Sequence, residues 1–155
     1  MRKSAFTMIE LIFVIVVLGI LASIAVPRFA ATRDDAIISK GRAQVASIRS
    51  AIMTEHQRGI LQGQTDLPRE LDDATTDHEN EALFDGNSSN TLLSYALFSR
   101  QSQGYWFRTA DTSANTIHNY DFYIDTITTE RFEYNITSQL FDCNHNNANC
   151  RLLAE

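Results

Sequence analysis

The chain has 155 residues, 19 acidic against 13 basic, and a formal net charge of −6. This length suits one domain of ordinary size together with an anchor. The acidic balance argues against a broadly basic surface of the kind that follows a phosphate backbone, so we do not expect direct nucleic acid binding.

The amino terminus places two basic residues, Arg2 and Lys3, before a long apolar run. Residues 11–26 carry no charge, and with residues 6–9 the run reaches about twenty residues, enough to cross a bilayer as one helix. Basic residues on this side favour a cytoplasmic amino terminus, with the remainder of the chain beyond the inner membrane.

One carboxylate, Glu10, lies near the start of this apolar run. A lone acid in a membrane helix costs about 2.5–3.5 kcal/mol on insertion scales, so an ionisable residue there indicates a function that needs a partner. The run itself offers no cation to Glu10.

These residues together resemble the leader of a known family. Arg2 and Lys3, the small residue Ala5 and the segment 6–11 (FTMIEL) are similar to the class III leader of type IV prepilins and of the pseudopilins of type II secretion and DNA-uptake systems. The resemblance covers roughly the first thirty residues. The family usually has glycine at the position of Ala5.

The resemblance implies a processing step and a filament. A prepilin peptidase would remove residues 1–5 by cutting between Ala5 and Phe6, and would N-methylate Phe6. Glu10 then becomes the fifth residue of the mature chain and would meet the new terminal amine of a neighbouring subunit, since a paired charge costs less in hydrocarbon than a lone one. The alternatives are a pair with its own amine, or a side chain that extends to the membrane interface.

Gly19 and Pro27 interrupt what would otherwise be one strong helix over residues 6–27. Proline removes a backbone donor, and glycine weakens a helix by roughly 1 kcal/mol relative to alanine. By the same resemblance we expect the segment from Gly19 to Pro27 to lose helicity in an assembled filament. The alternative is a simple kink where the helix leaves the bilayer.

Residues 28–60 predict the amphipathic second half of the helix, ending near Gly59. Apolar residues recur there at helical spacing: Ile37, Ile38, Val45, Ile48 and Ile52. Five of the basic residues in this stretch are interpreted as a solvated helix face rather than a DNA-binding patch: Arg28, Arg33, Lys40, Arg42 and Arg49.

Residues 61–155 are predicted to form a globular head, which begins with a polar connecting loop containing short helical pieces. The clearest turn in this loop is the segment 85–90. Oxygen atoms of Asp85 and Asn87 could hold calcium, as a loop does in some pseudopilins, but the spacing of a full calcium loop is missing and turn formation is favoured. We expect no other cofactor.

Three segments rich in aromatic residues, 105–107, 120–124 and 132–136, predict a small antiparallel sheet, whereas the type of segment 92–98 stays open. The sheet would pack on the carboxy-terminal half of the long helix and bury Ile48 and Ile52. We therefore predict an α+β, pilin-like fold.

Cys143 and Cys150 are the only cysteines. Outside the inner membrane such a pair indicates a disulfide that closes a short loop, as in the carboxy-terminal staple of type IV pilins. A metal site of Cys143, His145 and Cys150 is the alternative, and it lacks a clear fourth ligand.

No catalytic motif is present in the sequence and the histidines are dispersed, so we predict no enzyme. We predict a structural subunit of a type IV pilus-like filament, periplasmic or on the cell surface. Its expected partners are further copies of the chain, minor pilins, prepilin peptidase, a platform protein and an assembly ATPase. The alternatives are a secretion or competence pseudopilin, and an anchored binding or sensor domain that never polymerises.

Overall fold

A computed structural model describes residues 6–64, 68–87, 90–112 and 116–155. The expected leader, including Ala5, lies outside the described residues, as do the side chains of Pro27 and Asn87. The chain divides into two compact units, residues 1–36 and 37–155. We call the second unit the head.

Two helices and eight strands lie within the described residues. Helix α1 spans Met8–Leu61 and helix α2 spans Ala148–Ala154. The strands are β1 (Ala82–Leu83), β2 (Gly86–Asn87), β3 (Asn90–Thr91), β4 (Leu97–Phe98), β5 (Trp106–Thr112), β6 (Ile117–Tyr123), β7 (Thr129–Asn135) and β8 (Leu140–Cys143).

Helix α1 ends in a glycine cap. Gly63 has a φ of +77°, its N–H donates to the carbonyl of Ile60 at 3.1 Å, and the N–H of Gln64 donates to the carbonyl of Gly59 at 2.8 Å. This is the Schellman arrangement, which needs a left-handed residue just beyond the helix. Gly63 rather than Gly59 supplies that residue, so the helix runs two residues past the expected end.

The main sheet is a four-stranded antiparallel meander in the order β5-β6-β7-β8. Its register sets aromatic residues opposite one another, with Trp106 across from Phe122 and Tyr134 across from Phe141. The three aromatic segments of the sequence all fall in this sheet, and the α+β prediction is confirmed. Strand β8 and helix α2 were not predicted.

One face of the sheet packs on the head portion of α1. Ile48 is fully buried and Ile52 is 5% exposed, as the sequence predicted. Each such side chain contributes about 1.5–3 kcal/mol by leaving water. The rest of the core is largely aromatic and includes Leu83, Phe84, Trp106, Tyr120, Phe122, Phe132, Tyr134, Phe141 and Leu153.

The sheet and helix α2 both approach the backbone of α1 closely at Gly41, which is buried. A Cβ atom at this position would lie 2.7 Å from Cδ2 of Leu153 and 2.7 Å from Cε1 of Phe122. Real Cβ contacts are longer than this, and a packed core resists added volume. Glycine therefore lets α2 and β6 pack directly on the helix backbone.

The connection between α1 and the main sheet contains no helix among its described residues, contrary to expectation. It forms two short antiparallel pairs, β1 with β4 and β2 with β3. Positive φ values at Asp77, Asn80 and Phe84 break any helical run. Segment 92–98 contributes only the two residues of β4 to a strand.

We predict that Gly41→Ala lowers the free energy of unfolding by about 1–3 kcal/mol, because the added methyl group overpacks the contact with Phe122 and Leu153. Thermal unfolding of the full chain in mild detergent, followed by circular dichroism, measures the change. Gly19→Ala is the matched control, since a Cβ at Gly19 meets no atom within 4 Å. Equal melting temperatures for the two variants would contradict the prediction.

Candidate functional site

The lone carboxylate of the apolar segment caps its own helix. Oε2 of Glu10 accepts hydrogen bonds from the backbone N–H of Thr7 at 2.9 Å and from its hydroxyl at 2.7 Å, while Oγ1 of Thr7 lies 3.4 Å from the backbone N of Glu10. This is a capping box, in which Thr and Glu three residues apart satisfy each other's backbone. The Thr-x-x-Glu spacing is a signal of this cap that is visible in the sequence.

The helix behind Glu10 presents its apolar side chains outward. Met8–Val26 is long and apolar enough to cross a membrane, and its large apolar residues are exposed, for example Phe13 at 69% and Ile24 at 66%. A continuous apolar surface of this size marks a contact with lipid or with other chains.

Helix α1 continues without interruption through Gly19 and Pro27. Proline has no N–H to donate to the carbonyl four residues earlier, which belongs to Ser23. The Ser23 hydroxyl donates to the carbonyl of Ile20 at 2.7 Å, one turn earlier, and so does not replace the bond that the Ser23 carbonyl would accept. The segment therefore lacks one hydrogen bond of the helix ladder, although it keeps the helical backbone.

Three of the six basic residues of α1, Lys40, Arg42 and Arg49, donate hydrogen bonds to other elements of the head. Lys40 and Arg42 are nevertheless exposed, as in the expected solvated face, whereas Arg49 is half-buried. Nζ of Lys40 donates to the carbonyl of Gly104 at 2.7 Å. Nε and Nη2 of Arg42 donate to the carbonyl of Leu152 at 3.0 and 2.7 Å. Because Lys40 and Arg42 donate hydrogen bonds to main-chain carbonyls, these cations do not form a separate basic patch.

Arg49 joins α1 to the carboxy-terminal elements. Its guanidinium donates to the carbonyls of Phe141 and Ala154 at 3.0 and 3.2 Å, and to Oδ1 of Asp142 at 2.7 Å. A planar group with several donors suits such a junction.

Cys143 and Cys150 form the expected disulfide, with Cα atoms 5.7 Å apart. Their sulfur atoms are therefore not free thiolates, which removes the metal site with His145. The imidazole of His145 lies 3.1 Å from both carboxylate oxygens of Asp142, and this hydrogen bond raises the pKa of the imidazole. The loop is closed by a covalent bond and an ion pair.

Of the two calcium candidates, Asp85 directly precedes strand β2 and Asn87 is its last residue. Asp85 lines an open groove that also contains Asp73 and Glu81. The side chain of Asn87 lies outside the described residues. Oε2 of Glu81 accepts a hydrogen bond from the backbone N–H of Thr75, so this oxygen stabilises the loop.

A buried polar cluster that the sequence did not reveal joins the connection to the sheet. Asp72 is 1% exposed, and its carboxylate accepts from Nη1 of Arg108 at 2.6 Å and from the hydroxyl of Tyr120 at 3.0 Å. The backbone N–H of Phe84 also donates to it at 3.1 Å. Burial raises the pKa of Asp72, while the Arg108 guanidinium and these hydrogen bonds act in the opposite direction.

The cluster continues along the sheet to His118. Nη2 of Arg108 donates to Oδ2 of Asp111 at 3.2 Å, and Nε2 of His118 lies 3.9 Å from the same oxygen. Burial lowers the pKa of His118, an effect that Asp111 opposes and Arg108 strengthens. A neutral imidazole is therefore the form that the folded head prefers.

Two comparisons with known proteins bear on this arrangement. Residues 1–26 match the family model of the prokaryotic N-terminal methylation motif. The chain is also 48% identical over 62 residues to the type IV narrow pilus major component PilA5 of Thermus thermophilus. The aligned part covers 39% of this chain and 53% of that relative, so the chain spans about half the length of the curated relative.

No solved structure matches the chain. The motif and the relative support a type IV pilin family, and the helix and sheet have a pilin-like layout. That family is structural rather than enzymatic, which agrees with the sequence prediction.

We predict that Asp72→Ala costs about 3–5 kcal/mol, because it leaves the buried guanidinium of Arg108 without its main partner. Chemical unfolding of the full chain in mild detergent, followed by the fluorescence of buried Trp106, measures the loss. Arg151→Ala is the control: Arg151 is exposed and donates to the carbonyl of His145 at 3.1 Å, and we expect a loss of at most about 1 kcal/mol. Similar losses for both variants would contradict the prediction.

We predict that His118 makes the head less stable as the pH falls below about 6.5, the ordinary pKa of histidine. Because burial lowers the pKa in the folded state, the unfolded chain binds a proton at a higher pH than the folded chain does. Proton binding therefore stabilises the unfolded state in this range and lowers the free energy of unfolding. His118→Gln should remove this part of the pH dependence.

The measurement is the difference in unfolding free energy between the wild type and His118→Gln across this pH range. His145 has a raised pKa and therefore contributes stability below its ordinary pKa that is lost as the pH rises. It is present in both proteins, so its contribution cancels in the difference. A difference that does not vary with pH would contradict the prediction.

Proposed function

We propose, from the type IV pilin family that the methylation motif and the relative support, that this chain is the structural subunit of a type IV pilus-like filament. The observation that carries the proposal is the exposed apolar helix Met8–Val26 with a carboxylate near its start, which lies within the matched motif of residues 1–26. Outside a membrane, such a surface needs other chains to cover it.

The subunit is made as a precursor with a leader of residues 1–5. Prepilin peptidase cuts between Ala5 and Phe6 and methylates the new amine of Phe6. Cleavage leaves the Thr7–Glu10 capping box intact, because both residues belong to the mature chain.

Glu10 guides assembly by exchanging partners. In the separate subunit its carboxylate is held by Thr7. In the filament it pairs with the terminal amine of a neighbouring subunit, which offsets the cost of placing either charge in an apolar surrounding. A subunit in the wrong register leaves both charges without this pair.

The segment from Gly19 to Pro27 extends when subunits pack into the filament. The weakened helix ladder at Ser23 and the open surroundings of Gly19 support this part of the proposal. Contacts between packed helices then replace the backbone bonds that are lost.

Before assembly the subunit is a single-pass protein of the inner membrane, with its amino terminus cytoplasmic and the head periplasmic. The Cys143–Cys150 disulfide supports the periplasmic position, because disulfides persist in that compartment. Residues 6–27 form the membrane and filament-core segment, residues 28–60 form the second half of the helix, and residues 61–155 form the globular part that this helix carries. A platform protein, an assembly ATPase and minor pilins complete the machinery.

We predict that Glu10→Gln abolishes filaments while membrane insertion and cleavage before Phe6 continue. Glutamine retains the capping box, so the variant removes the charge and keeps the helix start. Electron microscopy of sheared surface fractions and N-terminal mass spectrometry of the membrane fraction measure the two effects.

Thr7→Val is the complementary variant, because it removes the hydroxyl of the cap and keeps the carboxylate of Glu10. We expect filaments from this variant. Normal filaments from Glu10→Gln would overturn the charge-pairing role, and a wild-type chain that never forms filaments would favour an anchored domain that does not polymerise.

A further inference from the structure

The end of strand β7 and the turn after it carry the sequence Glu133-Tyr134-Asn135-Ile136-Thr137. An asparagine followed two residues later by threonine, with no proline between them, is the acceptor motif for N-linked glycans. Bacterial oligosaccharyltransferases additionally select an acidic residue two positions before the asparagine, and Glu133 occupies that position.

The same extended pattern occurs once more, in Asp85-Gly86-Asn87-Ser88-Ser89. These two segments are the only Asn-x-Ser/Thr motifs in the chain. Each has an acidic residue two positions before the asparagine. Acidic residues occupy 19 of 155 positions, so composition alone rarely places one before both motifs. The second motif lies partly outside the described residues, and the inference concerns Asn135.

Strand β7 presents the acid and the asparagine on its outer face. Side chains alternate along the strand, so Phe132 and Tyr134 point into the core and Glu133 is exposed. Asn135, two residues after Glu133, lies on the same face. Both residues line an open surface groove of about 580 Å³. A transferase can therefore reach the recognition residue and the acceptor from one side.

The turn brings the third element of the motif to the acceptor. Oδ1 of Asn135 accepts hydrogen bonds from the backbone N–H of Thr137 at 2.9 Å and of Ser138 at 3.1 Å. This Asx turn uses only the oxygen of the side-chain amide, so it leaves Nδ2 outside the turn bonds. The side chain of Thr137 is exposed beside it.

We propose that Asn135 is an N-glycosylation site. Nδ2 of Asn135 forms a bond to the anomeric carbon of an oligosaccharide carried by a lipid diphosphate. The bond between that carbon and the diphosphate oxygen breaks, the lipid diphosphate leaves, and one amide proton passes to a carboxylate of the transferase. No oxidant or reductant takes part.

This inference depends on one element of the proposed function, the export of the head. The test is mass spectrometry of the full-length protein isolated from the cells that produce it, without reduction. We expect the peptide containing Asn135 to carry a mass increment of a whole number of sugar residues. The same spectra report whether Cys143 and Cys150 are linked.

Four variants test the motif itself. Thr137→Ala and Glu133→Gln should lose the increment, and Thr137→Ser should keep it, because serine retains the hydroxyl. Asn144→Gln is the matched control and should keep it as well: Oδ1 of Asn144 also accepts a bond from the N–H two residues later, at 3.0 Å, but no hydroxyl residue occupies that position.

An unmodified Asn135 in the wild type overturns the inference. If the disulfide is intact in that sample, the export of the head stands, whereas free thiols would remove the proposed location as well. An increment that persists in Thr137→Ala also overturns the inference, because it would show attachment by a route that does not use the motif.

Discussion

The head depends on one close contact, between the backbone of α1 at Gly41 and the side chains of Phe122 and Leu153. It brings the main sheet and α2 directly against the helix, so that Ile48 and Ile52 are covered. The large aromatic residues of β5 to β8 then fill the space between the sheet and the helix. The apolar stripe of α1 and the inner face of the sheet form one core, which neither element could bury alone.

Polar contacts give this core its orientation. Three cations of α1 donate to main-chain carbonyls of Gly104, of strand β8 and of helix α2. Nε1 of Trp106 donates to Oε1 of Gln44 at 3.0 Å. On the far side, the ion pair of Asp72 and Arg108 ties the polar connection to the sheet. A buried pair of this kind contributes little net stability but is costly to break, so it favours one arrangement of the connection over others.

Hydrophobic periodicity was sufficient to predict α1, the three longer strands and the burial of Ile48 and Ile52, because each of these signals extends over many residues. The same reasoning missed β8 and α2, which have only four and seven residues. It placed the helix end near Gly59, within two residues of the observed end at Leu61, because the cap depends on the left-handed backbone of Gly63 rather than on composition. The disulfide was predicted because the chain has only two cysteines and they lie close together.

The sequence by itself determined the apolar segment, the leader motif and the position of Glu10, since these depend on order along the chain and not on packing. Only the tertiary structure decided which cations of α1 are used by the head, and that Asp72 meets Arg108, 36 residues away. The physical reason is the distance along the sequence over which each signal acts. Motifs and periodicity act between neighbours in sequence, whereas a buried charge selects its partner from whatever the fold brings within hydrogen-bond distance.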